Sequence, residues 1–268
     1  MSPFWQETRV QAWRWFLHSK RRPVVVISGL FQPIIWMTLF ILVFRDSMGE
    51  VLDGTDYLDF VTPGALLFTA FNAALNAGVP VLFDRELGFL DRIRVAPLAD
   101  RFSIVLSSAI HIAVMTLAQC LVIVLAAAVA GARFHGGPLG ALVGLLALVL
   151  VVIGFTSLSL ALAFKFKRHF EMLAVIMIVT LPMIFLSSAF APLDRLPEFL
   201  RNLVVWNPVT MAIEPLRLVY TDPEWSLSKP LADSWIGALT GWHFLAGLVG
   251  FNVLAGLWSR KVLAQKLG

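Results

Sequence analysis

Residues 136–164 read GGPLGALVGLLALVLVVIGFTSLSLALAF, 29 residues without an Asp, Glu, Lys or Arg. A helix rises 1.5 Å per residue, so about 20 residues cross a hydrocarbon core about 30 Å thick. A membrane strand needs only about 10 residues, with polar and apolar side chains in alternation, and this run does not alternate. Backbone groups inside lipid must be satisfied within the segment, so the run reads as a membrane-spanning helix.

Five further runs lack charge over a comparable length: Pro23–Phe44, Phe60–Phe83, Phe102–Ala132, Met172–Leu193 and Ser234–Ser259. With 136–164 they predict six spans. The whole chain agrees, because 59% of its 268 residues are hydrophobic and 14% charged, and its mean hydropathy is +0.82. Water-soluble domains carry about 25% charged residues. The fold class expected is therefore an all-α integral membrane protein. Residues 23–268 form one transmembrane domain, with no internal repeat, low-complexity tract or soluble domain. The basic, aromatic start lacks the central apolar stretch of a cleavable signal peptide. A single cysteine, Cys120, excludes a disulfide within the chain and a thiolate metal cluster.

The charges give an orientation. Of 21 Lys and Arg, 15 fall on the N-terminus (Arg9, Arg14, Lys20–Arg22), the second loop (Arg85, Arg92, Arg94, Arg101), the fourth loop (Lys165, Lys167, Arg168) and the C-terminus (Arg260, Lys261, Lys266). The positive-inside rule puts these segments, and both termini, in the cytoplasm. Eleven of the 17 acids fall on the other side, among them Asp46, Glu50, Asp53, Asp56 and Asp59.

Two segments stand apart from the spans. In residues 1–22, Phe4, Trp5, Val10, Trp13, Phe16 and Leu17 alternate with charged and polar residues. They read as an amphipathic helix in the cytoplasmic interface, either a plain anchor or an elbow with a function. Residues 194–233 are rich in proline yet apolar in pieces, as in Phe199-Leu200 and Leu203–Trp206. They suggest short re-entrant helices on the outer side, where protein or a wet cavity must cover irregular backbone; an ordinary outer loop is the alternative.

The chain lacks a G-x-x-x-x-G-K-[ST] phosphate loop, an H-E-x-x-H zinc motif and a G-x-S-x-G elbow. No catalytic or metal-binding set is expected. Two histidines, His111 and His243, fall within spans, and His111 reads as helix–helix glue beside Ser107 or Gln119. In span two, Asn72, Asn76 and Pro80 share one face. Amides in lipid are costly unless they face protein or a substrate path. Asn72 and Asn76 are therefore candidate path residues, joined by Gln119 and Thr180. Gly136, Gly140 and Gly144, and the pair Gly237 and Gly241, repeat every four residues, which suits close packing inside the chain or at a dimer seam.

The second loop mixes charge and apolar residues: Phe83-Asp84-Arg85-Glu86-Leu87-Gly88-Phe89-Leu90-Asp91-Arg92-Ile93-Arg94-Val95-Ala96-Pro97. Leu87, Leu90 and Ile93–Arg94 recur at helical spacing, and Pro97 stops the pattern. A short amphipathic helix at the cytoplasmic surface is expected, lying on lipid or against a soluble partner.

This phrase, through Val95-Ala96-Pro97-Leu98, resembles the loop of ABC-2 type permeases, in the daunorubicin-resistance and nodulation-export-like branch with its cyanobacterial and plastid members. Phe60-Val61-Thr62-Pro63-Gly64, Asn207-Pro208-Val209-Thr210 and Glu214-Pro215-Leu216-Arg217 match in the same order. The resemblance implies that the loop is a coupling helix seated on a separate ATPase subunit, through Asp84, Arg85, Glu86, Gly88, Phe89, Asp91 and Arg92. It implies that ATP and Mg are bound by that partner, that this chain holds no cofactor and that it pairs with a second permease copy, identical or paralogous. Asn207, Pro208, Glu214 and Arg217 would mark the re-entrant region. The cargo would be a lipid, glycolipid, polysaccharide or hydrophobic small molecule exported across a cell inner membrane. The chain would touch membrane lipid and no nucleic acid. A stand-alone secondary transporter or an intramembrane enzyme are the rival readings.

Overall fold

The computed structural model describes residues 3–21, 23–48, 56–88, 102–189 and 191–267. Helix α1 is Pro3–Arg21, α2 Pro23–Met48, α3 Tyr57–Leu75, α4 Gly78–Glu86 and α5 Phe102–Val129. Helix α6 follows at Gly137–Lys165, α7 at His169–Phe185, then a 3-10 turn at Leu193–Arg195, α8 at Glu198–Val204 and α9 at Pro208–Thr221. Strands β1 (Pro230–Ser234) and β2 (Gly237–Thr240) precede the last helix, α10 (Gly241–Leu267).

Four stretches are long and apolar enough to cross a membrane: Tyr57–Glu86, Leu106–Val129, Gly137–Lys165 and Gly241–Gln265. Shorter apolar helices at Gly29–Val43 and His169–Phe185 occupy the expected first and fifth spans. Large apolar side chains remain exposed on the outer faces, such as Leu121 and Leu125 on α5, Leu139 and Leu142 on α6, and Leu254 and Leu257 on α10. A face this apolar needs a nonaqueous neighbour.

The core is built around α3, where sixteen residues from Tyr57 to Leu75 are buried. Asp56 starts this helix by accepting the Leu58 N–H at 3.1 Å. The ring of Phe71 meets Phe155 of α6 edge-to-face at 4.7 Å, and Phe155 meets Phe251 of α10 at 4.9 Å. Gly140 and Gly144 of α6 lie against α9. A Cβ at Gly144 would stand 2.6 Å from a Leu216 methyl, and one at Gly140 3.2 Å from the Val219 Cβ. That stripe serves packing within the chain.

Several expectations are corrected. Residues 234–240 are not helical. They complete an antiparallel hairpin in which Ser234 pairs Gly237, Asp233 pairs Ala238 and Pro230 pairs Thr240, with a bulge between Pro230 and Ala232. Gly237 has φ +106°, which a helix cannot accept. The last helix therefore starts at Gly241, one two-stranded hairpin interrupts an otherwise helical fold, and Gly237 and Gly241 form no helical stripe. Span two starts earlier, at Tyr57, and is broken at Asn76-Ala77. There Gly78 N donates to Ser159 Oγ at 2.9 Å, and Ser159 Oγ donates to Leu75 O. Span five is a shorter helix with Pro182 in its last turn, followed by a turn through Ala189. Phe83–Glu86 continue α4, which ends where Gly88 turns to φ +68°. Leu87 caps α4, and the rest of the expected amphipathic helix, through Leu90 and Ile93–Arg94, lies outside the described residues.

The contacts sort the segments to two ends. At one end α1 meets α4, α4 meets the end of α6 and the α6–α7 connection, and Lys165 Nζ lies 5.9 Å from the Trp258 ring near the C-terminus. At the other, Asp59 Oδ1 accepts Arg133 N–H at 2.8 Å, Tyr220 O accepts His135 N–H, and Asn202 Oδ1 accepts Trp235 N–H at 3.0 Å. Lys229 Nζ is 2.6 Å from Asp222 Oδ2 in this second region. That hydrogen bond holds the Asp222 carboxyl below its ordinary range.

Candidate functional site

A cavity of about 420 Å³ opens between α2, α3 and α7. Helix α2 contributes Gln32, Pro33 and Trp36, α3 contributes Phe68, Asn72 and Asn76, and α7 contributes Ile176, Met177 and Thr180. Among the described residues the lining is apolar except for amides, a hydroxyl and the indole, and it includes no acid or base. Such a wall suits a neutral or amphiphilic ligand held by burial and a few hydrogen bonds.

Three of the four expected path residues, Asn72, Asn76 and Thr180, meet at this cavity. Asn76 Nδ2 donates to Asn72 O at 2.9 Å. Thr180 Oγ1 has no hydrogen-bond partner among the described residues. Gln119 is placed elsewhere: its amide lies against Gly29, where α5 packs on α2. The α2 contribution was missed, although the Gln32-Pro33 pair inside an apolar run marks it. Pro33 lacks the N–H that would bond the preceding turn, so the helix is weakened where it faces the cavity.

One wall of the cavity is braced by the Asn207-Pro208 and Glu214–Arg217 motifs. Asn207 Oδ1 caps α9 by accepting Val209 N–H at 2.9 Å, and Pro208 occupies the first helical position. The Asn207 amide donates to both Met183 O and Leu186 O at 2.7 Å. Thr210 Oγ1 accepts Ser188 N–H at 3.2 Å. Arg217 donates to Glu214 Oε1 at 2.9 Å and to Ser188 O at 2.7 Å. The motifs thus hold the end of α7 and the turn after it, which supply Ile184, Phe185 and Ala189 to the cavity. All of Val209–Tyr220 is buried.

The expected coupling residues form a clasp at the opposite end of α7. Asp84 Oδ2 pairs with Arg14 of α1 at 3.2 Å. Arg85 donates to Ala163 O at 2.9 Å and also to Phe166 O, covering carbonyls that the end of α6 leaves open. Glu86 accepts His169 N–H at 2.5 Å and contacts His169 Nδ1 at 2.6 Å. The Phe83 ring stacks on His169 at 4.2 Å. Gly88 supplies the left-handed residue after α4. Phe89, Asp91 and Arg92 lie outside the described residues.

His111 does not pair with Ser107 or Gln119 as expected. Its Nε2 lies 3.0 Å from Ser19 Oγ of α1, with Trp15 stacked on the ring and Phe16 edge-on at 4.8 Å. It anchors α1 to α5. His243 contacts Thr240 Oγ1 and accepts the Thr240 N–H at the start of α10.

Among the described residues no group of His, Cys, Asp and Glu is arranged to hold a metal ion. The resemblance read from the motifs is borne out by known proteins. The chain is 41% identical over 230 residues to the ycf38 transport permease of Cyanophora paradoxa, covering 85% of this chain and 79% of that one. It is 39% identical to the ycf38 transport permease of Porphyra purpurea, covering 84% and 77%. It is 27% identical to the daunorubicin resistance ABC transporter permease DrrB1 of Streptomyces coeruleorubidus, covering 76% and 71%. The family described as ABC-2 type transporter matches residues 6–220, which takes in the clasp, the cavity and the buried α9. This chain is a multi-pass membrane protein of the ABC-2 type transporter family, a transmembrane subunit of an ABC transporter.

Proposed function

We propose that the chain moves an apolar or amphiphilic cargo out of the cytoplasm through the α2–α3–α7 cavity, driven by ATP hydrolysed in a separate subunit. The observation that carries this is the placement of α7: it lines the cavity along its length and is fastened at one end to the Asp84-Arg85-Glu86 segment. A push on that segment then has a direct route to the cavity. Conformational work of this kind needs contacts that differ between two states, and no chemistry in this chain.

On this reading Asp84, Arg85 and Glu86 fasten the segment internally, while Gly88, Phe89, Asp91 and Arg92 meet the ATPase, which binds ATP and Mg. The end where α1, α4, the α6–α7 connection and the C-terminal part of α10 gather is cytoplasmic. Its charge supports that, since 15 of the 21 Lys and Arg belong to these segments and their neighbours. The chain crosses six times, α2 and α7 being the first and fifth spans, and α8 and α9 enter the outer leaflet without crossing. The burial of α9 against α3, α6 and α10 supports a helix covered by protein at that depth. Two copies pair beside the cavity, where Met177, Ile178, Leu181 and Phe185 of α7 leave an apolar face uncovered. The membrane is a cell inner membrane. The drug-resistance name of DrrB1 supports hydrophobic small molecules among the cargo, and the apolar wall supports lipids equally.

The test is transport in proteoliposomes holding the permease and its ATPase subunits, with a fluorescent phospholipid and daunorubicin as separate probes. ATP-dependent movement of either probe is expected. Movement driven by a proton gradient without ATP or the ATPase would identify a stand-alone carrier and overturn the reading.

A further inference from the structure

We propose that Glu86 is the N-terminal cap of α7 supplied from another helix, and that this bond carries movement of α4 into the cavity wall. The inference rests on the ATPase-driven reading above.

An α-helix leaves four N–H groups open at its start. Helix α7 has no cap of its own, because Arg168 precedes it in extended conformation and makes no side-chain capping bond. Glu86 fills that place. One carboxylate oxygen takes the His169 N–H, the other meets the His169 ring nitrogen, and Phe83 covers the ring. The negative charge sits on the positive end of the helix.

The rest of α7 is lightly held. Only Met172, Ile176 and Ile184 are buried, while Phe170, Met177, Ile178, Leu181 and Phe185 are exposed. Its far end is fixed by Asn207. Helix α6, which Arg85 grips beside it, is packed against α3, α9 and α10 and serves as the fixed body. With α7 pivoting from the Asn207 end, displacement of Glu86 swings Leu173, Ile176 and Thr180 against α3. Glu86 is therefore a positioning residue for transport, acting through α7.

A single reporter reads this motion. Cys120 is the one cysteine and is buried, so Cys120→Ala with Thr180→Cys leaves one thiol, in the cavity. Complexes are captured through their ATPase subunit. The rate of labelling by N-ethylmaleimide is compared without nucleotide and after trapping with ATP and vanadate. The parent should show a change of about fivefold or more, the lower range of allosteric coupling. Glu86→Ala should bring the two rates together.

His169→Pro tests the link from the other side while leaving α4 unaltered. Proline suits the first helical position, and Arg168 already has φ −126° and ψ 145°, the conformation that a following proline requires. The variant keeps a well-started α7 but removes both bonds to Glu86. It should match Glu86→Ala. A His169→Pro complex that responds like the parent would overturn the inference, since the bond would then merely start a helix. Failure of His169→Pro to assemble would also overturn it, assigning the pair to folding. If the parent captures no ATPase or ignores nucleotide, it is the functional reading that fails.

Discussion

The guanidinium of Arg217 lies 3.9 Å from the centroid of the Phe60 ring, stacked on α3 while it holds Glu214 and the Ser188 carbonyl. Both members of the ion pair are about one-tenth exposed. Removing one partner of such a pair strands a buried charge, at a cost of about 3–5 kcal/mol. Arg217→Ala should therefore collapse thermal stability in detergent. Arg217→Lys should rescue little, because an ammonium cannot fork between Glu214 and Ser188 while stacking on Phe60. The double variant Glu214→Gln with Arg217→Met should be milder than Arg217→Ala alone. Size-exclusion thermal melts check all three.

At the break between α3 and α4, Ser159 Oγ links Gly78 N to Leu75 O. Ser159→Ala leaves those groups without their partner, which costs about 1–3 kcal/mol for each buried group left unsatisfied. Gly78→Ala should be worse, because its Cβ would run into the Ser159 backbone carbonyl, which has no rotamer to retreat to. Gly250→Ala is the control: a Cβ there meets nothing within 4 Å. Yield of monodisperse protein should rank Gly250→Ala with wild type, Ser159→Ala below it and Gly78→Ala lowest.

Asn72 lines the cavity, and Gln119 does not. Asn72→Trp should fill the space and reduce ATP-dependent probe movement to background while the complex still assembles. Gln119→Ala should leave the transport rate per assembled complex near wild type. Both are read in the same proteoliposomes.

Trp15 and His111 fasten α1 to α5. Truncating a buried tryptophan costs about 3–5 kcal/mol, and here the loss falls on one peripheral helix. Trp15→Ala should loosen the α1 backbone and speed trypsin cleavage after Lys20 and Arg21, whose side chains are already exposed, without disturbing the bundle. His111→Phe, which keeps a ring but loses the Ser19 bond, should raise cleavage far less, by an amount matching about 1 kcal/mol. Rates of limited proteolysis separate the two.

The long apolar helices were legible because charge-free length is a property of composition, and 136–164 needs no tertiary information to be read. Asn72, Asn76 and Thr180 were legible for a related reason: polar groups in an apolar run require a purpose, and here they converge. Gln119 carried the same signal and packs against α2, since polarity alone does not say which neighbour a helix face meets. The hairpin was hidden because Ser234–Thr240 is short and lies beside an apolar run, and its decisive feature is the backbone angle of Gly237. The inward grip of Asp84, Arg85 and Glu86 was hidden as well. Their partners Arg14, Ala163, Phe166 and His169 are distant in sequence, and two of the acceptors are backbone carbonyls that no side-chain pattern records.

The most direct test of the central claim is capture of an ATPase. The tagged permease is expressed with candidate ATPase subunits and purified, as wild type and as Asp91→Ala with Arg92→Ala. The account predicts a stable complex with wild type and loss of most of the captured ATPase with the double variant, while the permease itself stays folded by thermal melt. Absence of any ATPase from the wild-type preparation under every condition would contradict it, and equal capture by the double variant would remove the loop from the contact.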